Sequence, residues 1–321
     1  MDKTIDSNVK VIKKEKNIAT TIFVYALIIW PLIHFAIFWV YLNYETVAMS
    51  FQTFSTKDGV YKFIGLENYL DLIKWITDET STQYIMMTSA IKNSISILIW
   101  VMCVMTPVSM IFGYTIYKKV PCGTFFKVIF FVPNIISSVV MVALFKLMFD
   151  PDIGMIGYVL DVFKMRHVIP SNGFFGDGDI GWTMILIECL WAGIGYDMII
   201  FMSGYNRIPP EVSESAKMDG AGFFREFVSI SLPMISTTLS TKLILSSTTG
   251  LGFFMNALLL TNGGPGGQTH TLMMVIVNQT KAGNRGVTMA ATVGIFFSAI
   301  CLPFIYLFRR IVEKVLPPVE Y

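Results

Sequence analysis

Residues 208–233 read IPPEVSESAKMDGAGFFREFVSISLP. Pro209-Pro210 ends whatever precedes it and can open a helix, because proline is tolerated in a first helical turn. Glu211 to Met218 form a helix-competent run, and Asp219-Gly220 stops it, with Gly220 free to take the left-handed conformation that caps a helix C-terminus. One or two further helical turns follow before Leu232-Pro233. This polar but patterned elbow hangs between two apolar runs, 181–203 and 234–260. An elbow of that kind between two such runs predicts an all-α membrane bundle.

Working outward, four more runs at 18–42, 91–117, 126–149 and 287–308 bring the expected spans to six, each near the ~20 residues a bilayer core requires. Composition agrees: 54% of the 321 residues are hydrophobic, 14% are charged, and the mean hydropathy is +0.62. Soluble domains carry about 25% charged residues. Pro107, Pro133 and Pro303 fall inside spans, where neighbouring helices can re-satisfy freed backbone groups. The first run follows Lys10, Lys13, Lys14 and Lys16, as a signal peptide would, but Asn43-Tyr44-Glu45 offers no small-residue cleavage site, so it is expected to stay as an anchor. Lys118, Lys119 and Lys127, then Arg207, Lys217 and Arg225, then Arg309, Arg310 and Lys314 mark the cytoplasmic side by the positive-inside rule, with both termini inside. Acidic Asp150, Asp152, Asp161, Asp177 and Asp179 fall outside. The expected organisation is a cytoplasmic tail 1–17, a six-helix domain 18–315 with an outer segment 43–90 and the inner loop 204–233, and a tail 316–321. Within the outer segment, Ile64, Leu66, Leu70, Ile73 and Ile76 alternate with polar residues at helical spacing, which predicts a short amphipathic helix that either lies on the outer membrane interface or, as the preferred reading, caps the bundle.

Several pattern matches fail. Gly176–Gly181 satisfies G-x-G-x-x-G but has acids where a phosphate would lie and no preceding strand. Gly263–Gly267 lacks the Lys-Ser/Thr of a phosphate loop, so nucleotide hydrolysis is not expected on this chain. His34, His167 and His270 are scattered, and no metal site is expected. Cys103, Cys189 and Cys301 sit in spans and Cys122 in an inner loop, so no structural disulfide is expected. The formal net charge of +2 suggests no nucleic-acid partner.

The stretch from Ile208 to Ala221, followed by Ile230-Ser231-Leu232-Pro233, resembles the coupling loop of type I ABC importer permeases, in which E-A-A is followed by D-G-A and I-x-L-P. Ser215 replaces the middle alanine, a small-for-small change. Leu260-Thr261-Asn262-Gly263-Gly264-Pro265 and Gly65-Leu66-Glu67-Asn68-Tyr69 are similar to segments of maltose-type carbohydrate permeases. The resemblance spans roughly residues 20–315 and lacks the large outer insertion of the maltose protein. It implies ATPase coupling through Glu214, Ser215, Ala216, Asp219, Gly220 and Ala221. The partners it implies are a second permease subunit, two cytoplasmic ATPases binding ATP-Mg, an extracellular sugar-binding protein and the lipid bilayer. This chain itself would hold no cofactor and no catalytic site.

Charges inside spans are costly and usually purposeful. Glu188 and Asp197 are nine residues apart, and nine steps of 100° make 900°, so they face opposite sides of their helix. Asp197 lies about 10 Å and Lys242 about 12 Å from their inner span ends, which suggests an ion pair between them, with snorkelling of Lys242 as the alternative. Glu188 beside Trp191 suggests a sugar site, a carboxylate with an aromatic face, though a bond to a neighbouring helix is equally compatible. By position, the resemblance places substrate contacts at Cys189–Gly193 and Thr249–Phe253, including Gly193, Thr249, Gly250 and Phe253. Ser246, Ser247, Thr248 and Thr249 also suit helix packing. An ion-gradient-driven transporter and a permease for a non-sugar solute are the rival readings.

Overall fold

The structure, a computed structural model, describes residues 18–317, with side chains from residue 22. The tail 1–17 and residues 318–321 lie outside the described residues. Among those described, four helices are long and apolar enough to cross a membrane, and two bent pairs raise the number to six.

The chain divides into two compact units, 1–48 and 49–321. The described part of the first is a helix whose apolar side chains from Ile22 onward, including Phe23, Trp30 and Trp39, are exposed. Such exposure suits a lipid or protein-covered surface and not water.

The second unit opens with a hairpin, β1 (Gln52–Ser55) and β2 (Val60–Phe63), paired antiparallel with Gln52 opposite Phe63. No strand was expected in the outer segment, although Asp58-Gly59 is a strong hairpin signal. Helix α1 (Glu67–Thr77) follows. Its buried anchor is Leu72, with Ile76 packed on the same cluster, while Leu66, Leu70 and Ile73 are exposed, so only part of the expected apolar stripe faces the bundle. Asn68 is buried because its amide donates to the carbonyls of Ser50 and Gln52, at 3.1 and 2.8 Å. The Gly65–Tyr69 segment therefore staples α1 to the hairpin.

Helix α2 (Tyr84–Tyr117) begins well before the expected residue 91 and contains a π-helical turn at Val101–Met105. The third expected span is not one helix. It is α3 (Gly123–Ile135) and α4 (Ser138–Met148), bent by 109° two residues beyond Pro133. A short α5 (Met155–Val162) leads to α6 (Gly178–Tyr205). The Asp177 carboxylate caps α6 by accepting from the backbone N–H of Asp179 and Ile180, so the Gly176–Gly181 motif is a helix start.

Helix α6 is the axis of the bundle. A Cβ at Gly195 would stand 1.9 Å from the Phe130 carbonyl oxygen, so the two backbones touch at a place only glycine permits. Met184, Ile185, Met198, Phe201 and Tyr205 are buried along it.

After α7 (Pro210–Met218), the second half of the 204–233 segment is α8 (Phe223–Met234), bent by 74° against α9 (Ser236–Gly252). The fifth expected span, 234–260, thus corresponds to this bent pair, which starts earlier, at Phe223, and ends sooner, at Gly252. Its remainder is a separate helix α10 (Met255–Thr261), followed by a turn, α11 (Leu272–Lys281) and the long α12 (Asn284–Val315). The turn packs on α2, where the Asn93 amide donates to the carbonyls of Gln268 and His270 at 2.7 and 2.9 Å. Burial pushes the His270 imidazole below its usual pKa. It is therefore neutral at pH 7, facing the Gly267 carbonyl through Nδ1 and the Asn278 amide through Nε2.

Candidate functional site: the elbow and a cavity between broken spans

The elbow takes its shape from Gly220, whose φ is +74°. The Ala221 N–H bonds the Ala216 carbonyl and the Gly220 N–H bonds the Lys217 carbonyl, at 2.9 and 3.0 Å. That is a Schellman closure of α7. Ala216 is buried, while Glu214, Ser215, Asp219 and Gly220 are exposed and Met218 is 87% exposed. The exposed residues form a rigid, mixed polar and apolar tip. Behind it, Ile208, Val212 and Phe227 pack around Tyr114 and Tyr205, both fully buried.

Deeper in the bundle, Lys242 Nζ lies 2.6 Å from Asp197 Oδ1. The side chains are 13% and 1% exposed. Apart from this ion pair, neither Asp197 oxygen has a hydrogen-bond donor among the described residues.

On the opposite side of α6, Glu188 is also 1% exposed and accepts from the Asn256 amide. The two residues border a cavity of about 380 Å³ together with Met105, Asn134, Gly193 and Phe253, a volume within the range of small-molecule sites. Its walls come from the breaks: Asn134 and Ile136 from the α3–α4 bend, Phe253 from the gap between α9 and α10, and Met105 from the π-helical turn. Non-helical backbone at membrane depth is tolerated where protein re-satisfies it or where it lines a cavity. Both conditions hold here, since the Thr271 hydroxyl donates to the freed Phe253 carbonyl at 2.6 Å.

Of the sequence candidates for substrate contact, Glu188, Cys189, Ala192, Gly193 and Phe253 meet at this cavity, while Trp191, Thr249 and Gly250 do not. Trp191 turns to Phe145, with ring centroids 5.8 Å apart, and so supplies no aromatic face beside Glu188. Gly250 packs on α2, where a Cβ would stand 2.6 Å from the Ser94 carbonyl oxygen. Thr249 is half-buried at the start of the last turn of α9. Ser247 and Thr248 donate to carbonyls of their own helix.

With this geometry established, comparison with known proteins identifies the family. Residues 105–317 match the family described as the binding-protein-dependent transport system inner membrane component. The chain belongs to this family. It is thus the membrane permease component of a transport system that works with other subunits. Among relatives of this permease, a probable ABC transporter permease of Pyrococcus horikoshii is 27% identical over 281 residues, covering 85% of this chain and 89% of that one. The trehalose/maltose transport system permease protein MalF of Thermococcus litoralis is 25% identical over 256 residues, 77% and 81% of the two chains. The fold of the permease is shared with a chain of a bacterial alginate ABC transporter solved in complex with an alginate pentasaccharide-bound periplasmic protein. That match has a TM-score of 0.77 at 20% identity over 95% and 99% of the chains, and a further crystal structure of a bacterial alginate ABC transporter matches with a TM-score of 0.79 at 20% identity over 94% and 98%.

Sequence reading of the permease missed Asn256, because it lies beyond the break that ends α9. Replacing Asn256 by alanine leaves Glu188 without its amide donor, and a lost bond to a charged group costs about 1.5–3 kcal/mol. The initial uptake rate at matched membrane abundance is expected to fall by about 10- to 150-fold.

Proposed function

We propose that this chain forms half of the translocation pathway of an ATP-driven importer for a sugar or oligosaccharide. In this reading the exposed tip of the elbow docks on a cytoplasmic ATPase, with Glu214 meeting a basic or polar group there. Two such ATPases bind and hydrolyse ATP-Mg, and this chain does not. A second, similar permease completes the pathway, and an extracellular sugar-binding protein delivers the cargo. Both termini lie in the cytoplasm. Closure of the ATPases draws the elbows together and tilts the bundle between two packings.

The observation that carries the proposal is the elbow itself: a Schellman-closed helix with an exposed tip, set on a buried aromatic cluster that continues into the membrane helices. The carbohydrate cargo is supported by the trehalose/maltose relative and by a cavity that pairs amide and carboxylate groups with the Phe253 ring. Proteoliposomes carrying the assembled complex, with ATP inside and a protonophore present, provide the test. Radiolabelled maltotriose, or other oligosaccharides presented on the binding protein, should still enter. Uptake that collapses with the ion gradient while ATP persists would instead mean a secondary transporter, and ATP-driven uptake of only non-sugar solutes would remove the sugar assignment.

A further inference from the structure

At the base of the elbow three polar side chains from separate elements converge. Lys118 stands immediately after the end of α2, Ser213 is on α7, and Glu226 is in the first turn of α8. The Lys118 ammonium donates to the Ser213 hydroxyl at 2.8 Å and pairs with the Glu226 carboxylate. The Ser213 hydroxyl in turn donates to Glu226 Oε1 at 2.8 Å. The lysine and glutamate side chains are only 16% and 6% exposed. Lys118 also lies 5.5 and 5.6 Å from the ring centres of Tyr114 and Tyr117.

A buried ion pair seldom adds net stability over apolar residues of the same volume; its best-attested use is to fix register. Register is what the elbow needs. The packing of Ile208, Val212 and Phe227 on the bundle is apolar and aromatic, and such contacts are non-directional, so a force on the tip can be spent as sliding. The charged triangle removes that freedom. The helix dipoles favour both charges where they stand, a cation at the C-terminal end of α2 and an anion in the first turn of α8. Helix α2 is continuous from Tyr84 to Tyr117 and carries Met105 in the cavity wall, 13 residues or about 20 Å from Lys118.

We infer that Lys118, Ser213 and Glu226 form a latch that fixes the elbow helix to the end of α2, so that movement of the elbow reaches the cavity wall. The latch rests on the elbow being the ATPase-docking element.

The test uses the assembled complex in lipid and needs no knowledge of the cargo. Cys189 is a free thiol bordering the cavity. Its labelling by N-ethylmaleimide, read by peptide mass with and without ATP-vanadate, reports whether a nucleotide event reaches the cavity. The variant pair Lys118→Met with Glu226→Gln removes both charges together, leaving neither buried alone. Ser213→Ala removes only the bridge, and Ser213→Thr keeps a hydroxyl. Co-purification of the ATPase and its hydrolysis rate should persist in all of them. The nucleotide-dependent change at Cys189 should disappear in the double variant, fall to about a tenth in Ser213→Ala, whose lost hydroxyl bonds two charged groups, and recover in Ser213→Thr. An intact double variant with the full change would overturn the latch. So would a double variant that fails to assemble while Ser213→Ala keeps the full change, because the network would then be only a brace. If the unaltered chain shows no nucleotide-dependent change at Cys189 the latch falls, and if it fails to retain the ATPase the docking reading itself falls, and the latch with it.

Discussion

Lys242→Met is expected to remove transport by more than about 100-fold and to deplete the folded complex from the membrane, since orphaning one member of a buried pair costs about 3–5 kcal/mol. The two single variants should differ. In Lys242→Met the carboxylate of Asp197, 1% exposed, keeps no partner among the described residues. In Asp197→Ala the stranded group is an ammonium on a flexible stem that is already 13% exposed and can lean towards the interface. The milder loss should therefore be in Asp197→Ala. Reversing both charges, Asp197→Lys with Lys242→Asp, should recover much of the uptake, and replacing both by leucine and methionine should recover abundance. Uptake and detergent-extracted complex, measured at matched expression, give the answer. A Lys242→Met variant that transports normally would mean the two groups are neighbours without dependence.

The apolar runs were legible because a span needs little more than length and hydropathy. The breaks within them were not. Pro133 was visible in the sequence, yet the 109° bend comes two residues later, and the gap at Phe253 follows no proline at all. What makes that gap tolerable is the Thr271 hydroxyl 18 residues on, a tertiary partner invisible to any local window. The same limit hid the cavity, whose polar pair joins Glu188 on one helix to Asn256 beyond a break. Facing could be worked out only within a single helix. Counting 100° steps separated Glu188 from Asp197, but it could not say that Trp191 would turn to Phe145. Depth counting set Asp197 and Lys242 at similar levels, while their contact depends on how two helices face each other. The elbow read well because its rules are local: a proline start, a helix-competent run and a glycine stop. Its anchorage did not, since Lys118 and Ser213 are 95 residues apart. The hairpin at 52–63 left only Asp58-Gly59 as a signal, because its two strands of four residues are too short to show an alternating pattern.

A series at Gly220 separates two ways in which the elbow can fail. A Cβ built there meets nothing within 4 Å, so the penalty for a side chain inside this chain is conformational alone. At φ +74° that penalty is about 1–2 kcal/mol for an ordinary residue, higher for a β-branched one, and small for asparagine. Gly220→Ala should lower ATP-dependent uptake about fivefold and Gly220→Val about thirtyfold or more, while Gly220→Asn should stay near the starting rate. Membrane abundance should hold in all three, because the residue is exposed and no helix of the bundle packs on it. This order runs against side-chain volume, since asparagine is larger than alanine. If the rates instead fall in order of volume, with asparagine below alanine, the glycine is present to admit a docking partner and not to make the turn. If all three variants transport at the original rate, the closure of α7 is irrelevant to coupling, and Glu214 with the rest of the tip loses its claim to be the point where ATPase and permease meet.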